Sequence, residues 1–277
     1  MSDVTDAPAR AASNSNSRVS AHGSHIWYEL MTPDPEGAKR FYDAVAGWDI
    51  GPAHDDVGYR MIGRADGGFA GGVLPLDDEM RVNGARPAWM GYVGVEDVDD
   101  ILPRIEAKGG RVLMPARDID MAGRIAMVAD PQGNPFYVMK PTPPEGDSNK
   151  VSDVFSVAEP GRVSWNELNS TDPVQARNFY GDLFGWTSEE FMPMGELGEY
   201  RFFFFNGTTI GAVCSVRPGG SQGWRYYIRV PSIAKAVEAV NAGGGMVAMG
   251  PHEVPGGDHI IIGNDPQGAE FALVGKA

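Results

Sequence analysis

The sequence predicts an α+β protein made of four βαβββ units arranged as two tandem halves, and three pairs of segments predict it. "GSHIWYELMTPDP" at 23–35 returns as "GRVSWNELNSTDP" at 161–173, so that Trp27, Glu29, Leu30, Asp34 and Pro35 recur as Trp165, Glu167, Leu168, Asp172 and Pro173. "AKRFYDAVAGW" at 38–48 returns as "ARNFYGDLFGW" at 176–186, at the same offset. "DPQGNPFYV" at 130–138 returns as "DPQGAEFAL" at 265–273, at a slightly different offset because the intervening loops differ in length. Three segments copied in one order imply duplication of a whole folding unit.

The elements follow in order. The first segment of each half reads as a strand that ends at an N-cap, Asp34 or Asp172, with Pro35 or Pro173 at the first helical position. Ala38, Phe41, Tyr42 and Val45 recur at i, i+3, i+4 and i+7, as do Ala176, Phe179, Tyr180 and Leu183, which is the spacing of an amphipathic helix. Gly47 and Gly185 stand where a left-handed C-cap is wanted. Short strands follow, "YRMIG" and "FAGGVL" in the first half, "YRFFFF" and "TIGAVCSV" in the second.

The order then restarts. "WMGYVGV", the helix "DVDDILPRIEAKGG" and the strands "RVLMP", "RIAMVA" and "FYVMK" make a second unit, with Pro103 expected in the first helical turn or at a kink. "WRYYIRV", the helix "SIAKAVEAVNAGGG" and the strands "MVAM", "HIIIGN" and "FALVG" make the fourth. Asp-Pro-Gln-Gly joins the last two strands of each half as a tight turn. The predicted boundaries are a disordered tail at 1–20, a first domain at 21–142, a linker at 143–159 and a second domain at 160–277.

Composition narrows the function. With 277 residues, 42% hydrophobic and 22% charged, the chain is long enough for two cores. A net charge of −14 argues against nucleic-acid binding, which needs a basic surface. Cys214 is the single cysteine, so neither an intrachain disulfide nor a thiolate cluster is expected. The first twenty residues lack an apolar signal region and no run of roughly 18 apolar residues occurs, so a cytoplasmic protein without a membrane span is expected.

Paired βαβββ units with an "FY…GW" helix and a "DPQG" hairpin resemble the vicinal-oxygen-chelate superfamily of glyoxalases, bleomycin-resistance proteins and extradiol dioxygenases, and most closely its tandem-domain glyoxalase-like group labelled as hydroxylases. The resemblance implies that each pair of units curls a mixed sheet into a cup. It also implies metal ligands on the first and last strands of the units. Carried over, those positions fall on Trp27 and Trp165, on about Met90 and about Arg225, and on Tyr137 and Ala272. Trp, Tyr, Ala and Met are not ligands for such an ion and Arg would repel it, so no cofactor is expected at the standard site. A displaced divalent-metal site from His252, His259 and Glu167 is the alternative.

Strand alternation places His25, Trp27 and Glu29 on one face, and Trp165, Glu167 and Asn169 on the matching face. Each cup then keeps one carboxylate beside a Trp. Glu29 and Glu167 are either structural, holding hydrogen bonds in both halves, or general bases with a raised pKa. His259 and Arg124 begin the same strand in their respective halves and are candidate acid or oxyanion partners. Tyr59, Tyr137, Tyr200, Tyr226 and Tyr227 are candidate cup walls suited to a planar ligand.

Two functions follow. One is a small-molecule enzyme of isomerase, lyase or hydratase type, with Glu29, Glu167 and His259 as catalytic groups and Trp27, Trp165, Tyr137, Arg124, Tyr227 and Asn169 as substrate contacts. The other is a non-catalytic small-molecule or drug-sequestering protein of the bleomycin-resistance type. A monomer is expected, because two halves in one chain replace the dimer of single-domain relatives, with a homodimer as the alternative.

Overall fold

The computed structural model describes residues 22–143 and 151–277, so the predicted tail lies outside the described residues. The first half runs β1 (His25–Thr32), α1 (Pro35–Ala46), β2 (Asp49–Ile50), β3 (Arg60–Gly63), β4 (Phe69–Pro75), α2 (Asp78–Val82), β5 (Ala88–Gly94), α3 (Val98–Ala107), β6 (Arg111–Ile119), β7 (Gly123–Ala129) and β8 (Pro135–Pro141). The second runs β9 (Val163–Ser170), α4 (Pro173–Phe184), β10 (Phe191–Pro193), β11 (Glu199–Phe205), β12 (Thr208–Ser215), β13 (Gly223–Ser232), α5 (Ile233–Ala242), β14 (Met246–Glu253), β15 (His259–Asn264) and β16 (Glu270–Lys276).

Each half forms its own eight-stranded mixed sheet, ordered β2-β3-β4-β1-β5-β8-β7-β6 and β10-β11-β12-β9-β13-β16-β15-β14. The two orders match element for element, as duplication requires. In each sheet the first strand is central, parallel to its own unit's last strand and antiparallel to the first strand of the next unit.

The helices start and stop where local chemistry directs. Asp34 accepts from the Gly37 N–H and Asp172 from the Gln175 N–H, and Gly47 (φ 70°) and Gly185 (φ 74°) end their helices in the left-handed region. Asp97 caps α3, and Pro103 lies in its interior instead of its first turn. The short helix α2 and the two-residue strand β2 were not anticipated, since neither is long enough to show a period.

The sheets pack with their helical faces toward each other. Tyr28, Leu30, Phe41, Tyr42 and Trp48 of the first unit share a core with Tyr226, Ile228, Phe271 and Leu273 of the fourth. Val93, Ile101 and Phe136 of the second unit share another with Leu168, Phe179, Tyr180 and Trp186 of the third. Tyr226, expected in a cup, therefore belongs to this inter-half core.

The repeated motifs are spent on this packing. Trp48 Nε1 donates to the Gly161 carbonyl and Trp186 Nε1 to the Gly23 carbonyl, both at 2.8 Å, so each "GW" holds the entrance of the other half. Tyr42 donates to Asp265 at 3.1 Å and accepts from Trp89 Nε1 at 3.0 Å. Tyr180 donates to Asp130 at 3.2 Å and accepts from Trp224 Nε1 at 3.0 Å. Each "FY" helix thus reaches the Asp of the other half's "DPQG" turn. The described part of the linker is packed too: Val154 is in the core, and Asp153 pairs with Arg64 and Arg162.

Tyr42→Phe removes a donor from Asp265 and strands the Trp89 N–H, so it is expected to cost about 2 kcal/mol. Tyr180→Phe should cost a similar amount. Urea unfolding checks both, and unchanged midpoints would contradict the inter-half role.

Candidate functional site in the first cup

The opposite face of the first sheet carries a separate apolar cluster of Ile26, Met31, Leu76, Met90, Tyr92, Ile125 and Tyr137. Trp27, Met80, Met114, Met127 and Met139 pack against it. Glu29 stands opposite Met90, and Trp27 opposite Tyr92, which is itself level with Tyr137 on β8. Tyr92 and Tyr137 stack with ring centroids 4.3 Å apart. The wall is therefore aromatic rings and flexible thioethers, surfaces that adapt to an apolar ligand.

Glu29 is the carboxylate on this floor, and it is only 3% exposed. Its Oε2 accepts from the Tyr92 hydroxyl at 2.9 Å, while Oε1 is buried without a hydrogen-bond partner among the described residues. Burial pushes its pKa up to about 7, outweighing the opposing pull of Tyr92, Tyr59 and Arg117. Tyr59 crosses from the opposite wall, and its hydroxyl accepts from Trp27 Nε1 at 2.9 Å. Gly72, level with Glu29 on β4, makes room for that ring, because a Cβ there would lie 2.0 Å from the Tyr59 hydroxyl oxygen. The hydroxyls of Tyr59 and Tyr92 are held protonated by burial and the nearby carboxylate.

The second cup repeats the layout with different chemistry. Glu167 Oε1 receives Arg225 at 2.7 Å and Asn169 at 3.2 Å, and Oε2 receives Tyr200 at 2.8 Å and Tyr227 at 3.3 Å. Arg225 stands opposite Glu167 where Met90 stands opposite Glu29. Trp165 Nε1 donates to Tyr200 as Trp27 does to Tyr59. Ala272 takes the place of Tyr137. With four donors on two oxygens, Glu167 is a bonded structural carboxylate, whereas its twin Glu29 has only tyrosine hydroxyls about it and no cation.

Several sequence expectations are corrected by strand geometry. A β-bulge between His25 and Trp27 turns His25 away from the cup. It stacks on Trp186 at 5.1 Å, and burial lowers its pKa to about 3. Arg124 alternates with Ile125 of the cup cluster and so faces outward, where Asp99 and Asp118 bind it. His259 alternates with Ile260 of the second cup and shares the helix-bearing face of Ile261, away from the cup. Neither Arg124 nor His259 is a cup residue. His252 pairs with Ile260, so it and His259 point to opposite faces and do not gather with Glu167.

Among the described residues no three His, Cys, Asp or Glu side chains converge in a way that could hold an ion. Trp27, Met90 and Tyr137 do line the first cup, and with Glu29 they offer one carboxylate among rings and a thioether. Such a donor set does not fit a hard divalent ion, which takes several oxygen or imidazole ligands.

Two cup residues went unread in the sequence. Tyr92 lies inside an apolar run that looks like plain core. Arg117 stands on the cup side of β6, opposite Ile125. It precedes Arg124 by seven residues as His252 precedes His259, a spacing that would have paired it with His252.

Residues 25–138 match the model of the Glyoxalase/Bleomycin resistance protein/Dioxygenase superfamily. Residues 25–138 belong to this superfamily. The second half carries the same glyoxalase-like fold. Among similar proteins is "Putative glyoxylase CFP32" of Mycobacterium tuberculosis, 29% identical over 258 residues that cover 92% of this chain and 95% of that one. "Anthracycline biosynthesis protein DnrV" of Streptomyces peucetius is 28% identical over 273 residues, covering 92% and 94%. The Mn(II)-bound glyoxalase of Novosphingobium aromaticivorans superposes with a TM-score of 0.64 at 17% identity, covering 93% of this chain and 83% of its own. That likeness is one of fold. Among the described residues no helix is long and apolar enough to cross a membrane.

Proposed function

We propose that this glyoxalase-like chain is a small-molecule enzyme whose first cup moves a proton on a mainly apolar, planar ligand, with Glu29 as the general base. One observation carries the reading: a buried carboxylate in an apolar cup, held by tyrosine hydroxyls and with Met90 opposite it, where the duplicated copy is paired with Arg225 and has both oxygens fully bonded. A carboxylate kept only for structure would have donors on both oxygens, as Glu167 does. Desolvation brings Glu29 into the range where a base works near neutral pH. Its hydrogen bond to Tyr92 orients it, and the stacked rings of Tyr92 and Tyr137 keep its surroundings apolar.

The ligand is then an enolisable or otherwise carbon-acidic molecule, such as an aromatic ketone. Incubating aryl ketones, 2-tetralone first, with the protein in D2O and following deuterium uptake by NMR tests this. Exchange should rise with pH as Glu29 ionises, with a midpoint near 7. Glu29→Gln should slow it by about 100-fold or more, whereas Glu167→Gln should leave the first cup working. Exchange that is equally fast in Glu29→Gln would sink the assignment.

A further inference from the structure

The cup side of the first sheet carries an exposed cation, Arg117, on its edge strand β6. Arg117 pairs in register with Ile125 and lies two residues before Ile119, and both of those belong to the cup's apolar lining. Side chains in register, or two apart on one strand, share a face, so Arg117 projects on the cup side. It makes no ion pair or hydrogen bond among the described residues. Arg124, on the other face of the neighbouring strand, binds two aspartates instead.

Arg117 also belongs to the same electrostatic space as the floor. Its charge acts on both Glu29 and Tyr137. The second half shows what a cation does when it serves the protein alone. There Arg225 sits on the floor and is consumed by Glu167 and Glu270. In the first half the floor position is Met90, and the charge stands at the entrance instead.

We propose that the mouth of the first cup is an anion-anchoring site, where Arg117 receives an anionic oxygen group of a planar apolar ligand whose body lies among Trp27, Tyr137 and the methionines. This rests on the first cup being the ligand pocket and names the class of ligand it takes. Guanidinium binds a carboxylate through paired N–H donors, which fixes orientation as well as adding affinity. Anchoring the anionic end at the rim directs the rest of the molecule down toward Oε1 of Glu29. The overall negative charge of the protein would by itself favour cationic ligands, so charge selectivity discriminates between a local site and the bulk field.

The test uses three probes of one shape: 2-naphthoate, 2-naphthamide and 2-naphthylmethylammonium, titrated calorimetrically into the full chain at pH 6. Naphthoate should bind about tenfold more tightly than the amide, and Arg117→Gln should abolish that preference while sparing the amide. Arg117→Lys should retain part of it. His252→Gln, at the equivalent place in the second half, should change nothing, which locates the effect in the first cup. Equal affinity for naphthoate and amide, or a preference for the ammonium probe, overturns the anchoring role while leaving the pocket and Glu29 standing. Binding of none of the three overturns the anchoring and the pocket together. Because no turnover is read, failure of Glu29 as a base shows separately, in the deuterium-uptake experiment.

Discussion

Glu29→Gln is expected to make the protein more stable at pH 8, by about 2–3 kcal/mol, while suppressing the deuterium exchange proposed for the first cup. The sign follows from the direction of the shift. Burial raises the Glu29 pKa in the folded protein to about 7, against 4.5 for the ordinary group. Between those two values the folded state holds a proton that the unfolded state has released. Stability from this group is therefore fully present below about pH 4.5 and is lost as pH rises through about 7. A glutamine cannot ionise, so it escapes the cost of a buried charge, and the difference between variant and wild type isolates Glu29 from the other buried acids. Urea unfolding at pH 5 and pH 8 measures it: near parity at the lower pH and a clear gain at the higher. A variant less stable than wild type at pH 8 would mean that Glu29 carries a structural charge after all.

Arg225→Met is expected to have the opposite character. It installs in the second cup the residue that stands opposite Glu29 in the first, and it leaves Glu167 buried without its cation. Breaking a buried pair from one side costs about 3–5 kcal/mol, because the remaining charge is uncompensated. The loss of the Glu270 contact adds little, since that carboxylate is exposed enough for solvent to screen it. Adding Glu167→Gln in the same chain should recover most of the loss, although each change removes a bonding partner. The same urea measurement decides it, and a double variant no more stable than Arg225→Met alone would show that the ion pair is not what holds the second cup.

These two changes separate the cups because the copies look alike in sequence and differ in what surrounds them. The Trp-x-Glu of each half was legible at once, as were the capped helices ending at Gly47 and Gly185 and the order of four βαβββ units. Those features are local: caps, periodicities and turn residues act through neighbours in the chain. The cup faces were partly legible, since alternation correctly puts Trp27 with Glu29 and Trp165 with Glu167. It failed at His25, where one extra residue in a bulge reverses the face, and bulges leave no reliable mark in a single sequence. It also failed for Arg124 and His259, which looked like rim residues by position along the strand but lie on the helix-bearing face, away from the cups.

By itself the sequence determined the duplication and the fold class, because residue identity and spacing settle both. Tertiary structure alone decided which glutamate is satisfied. The partner that matters lies on the neighbouring strand, Met90 opposite Glu29 and Arg225 opposite Glu167, and that register exists only once β5 pairs with β1 and β13 with β9. It likewise decided the use of the shared motifs, because Tyr42 meets Asp265, and Tyr180 meets Asp130, only when two halves far apart in the chain dock face to face. A carboxylate's ionisation depends on its solvent and its donors, and both are set by residues that the chain brings near only by folding.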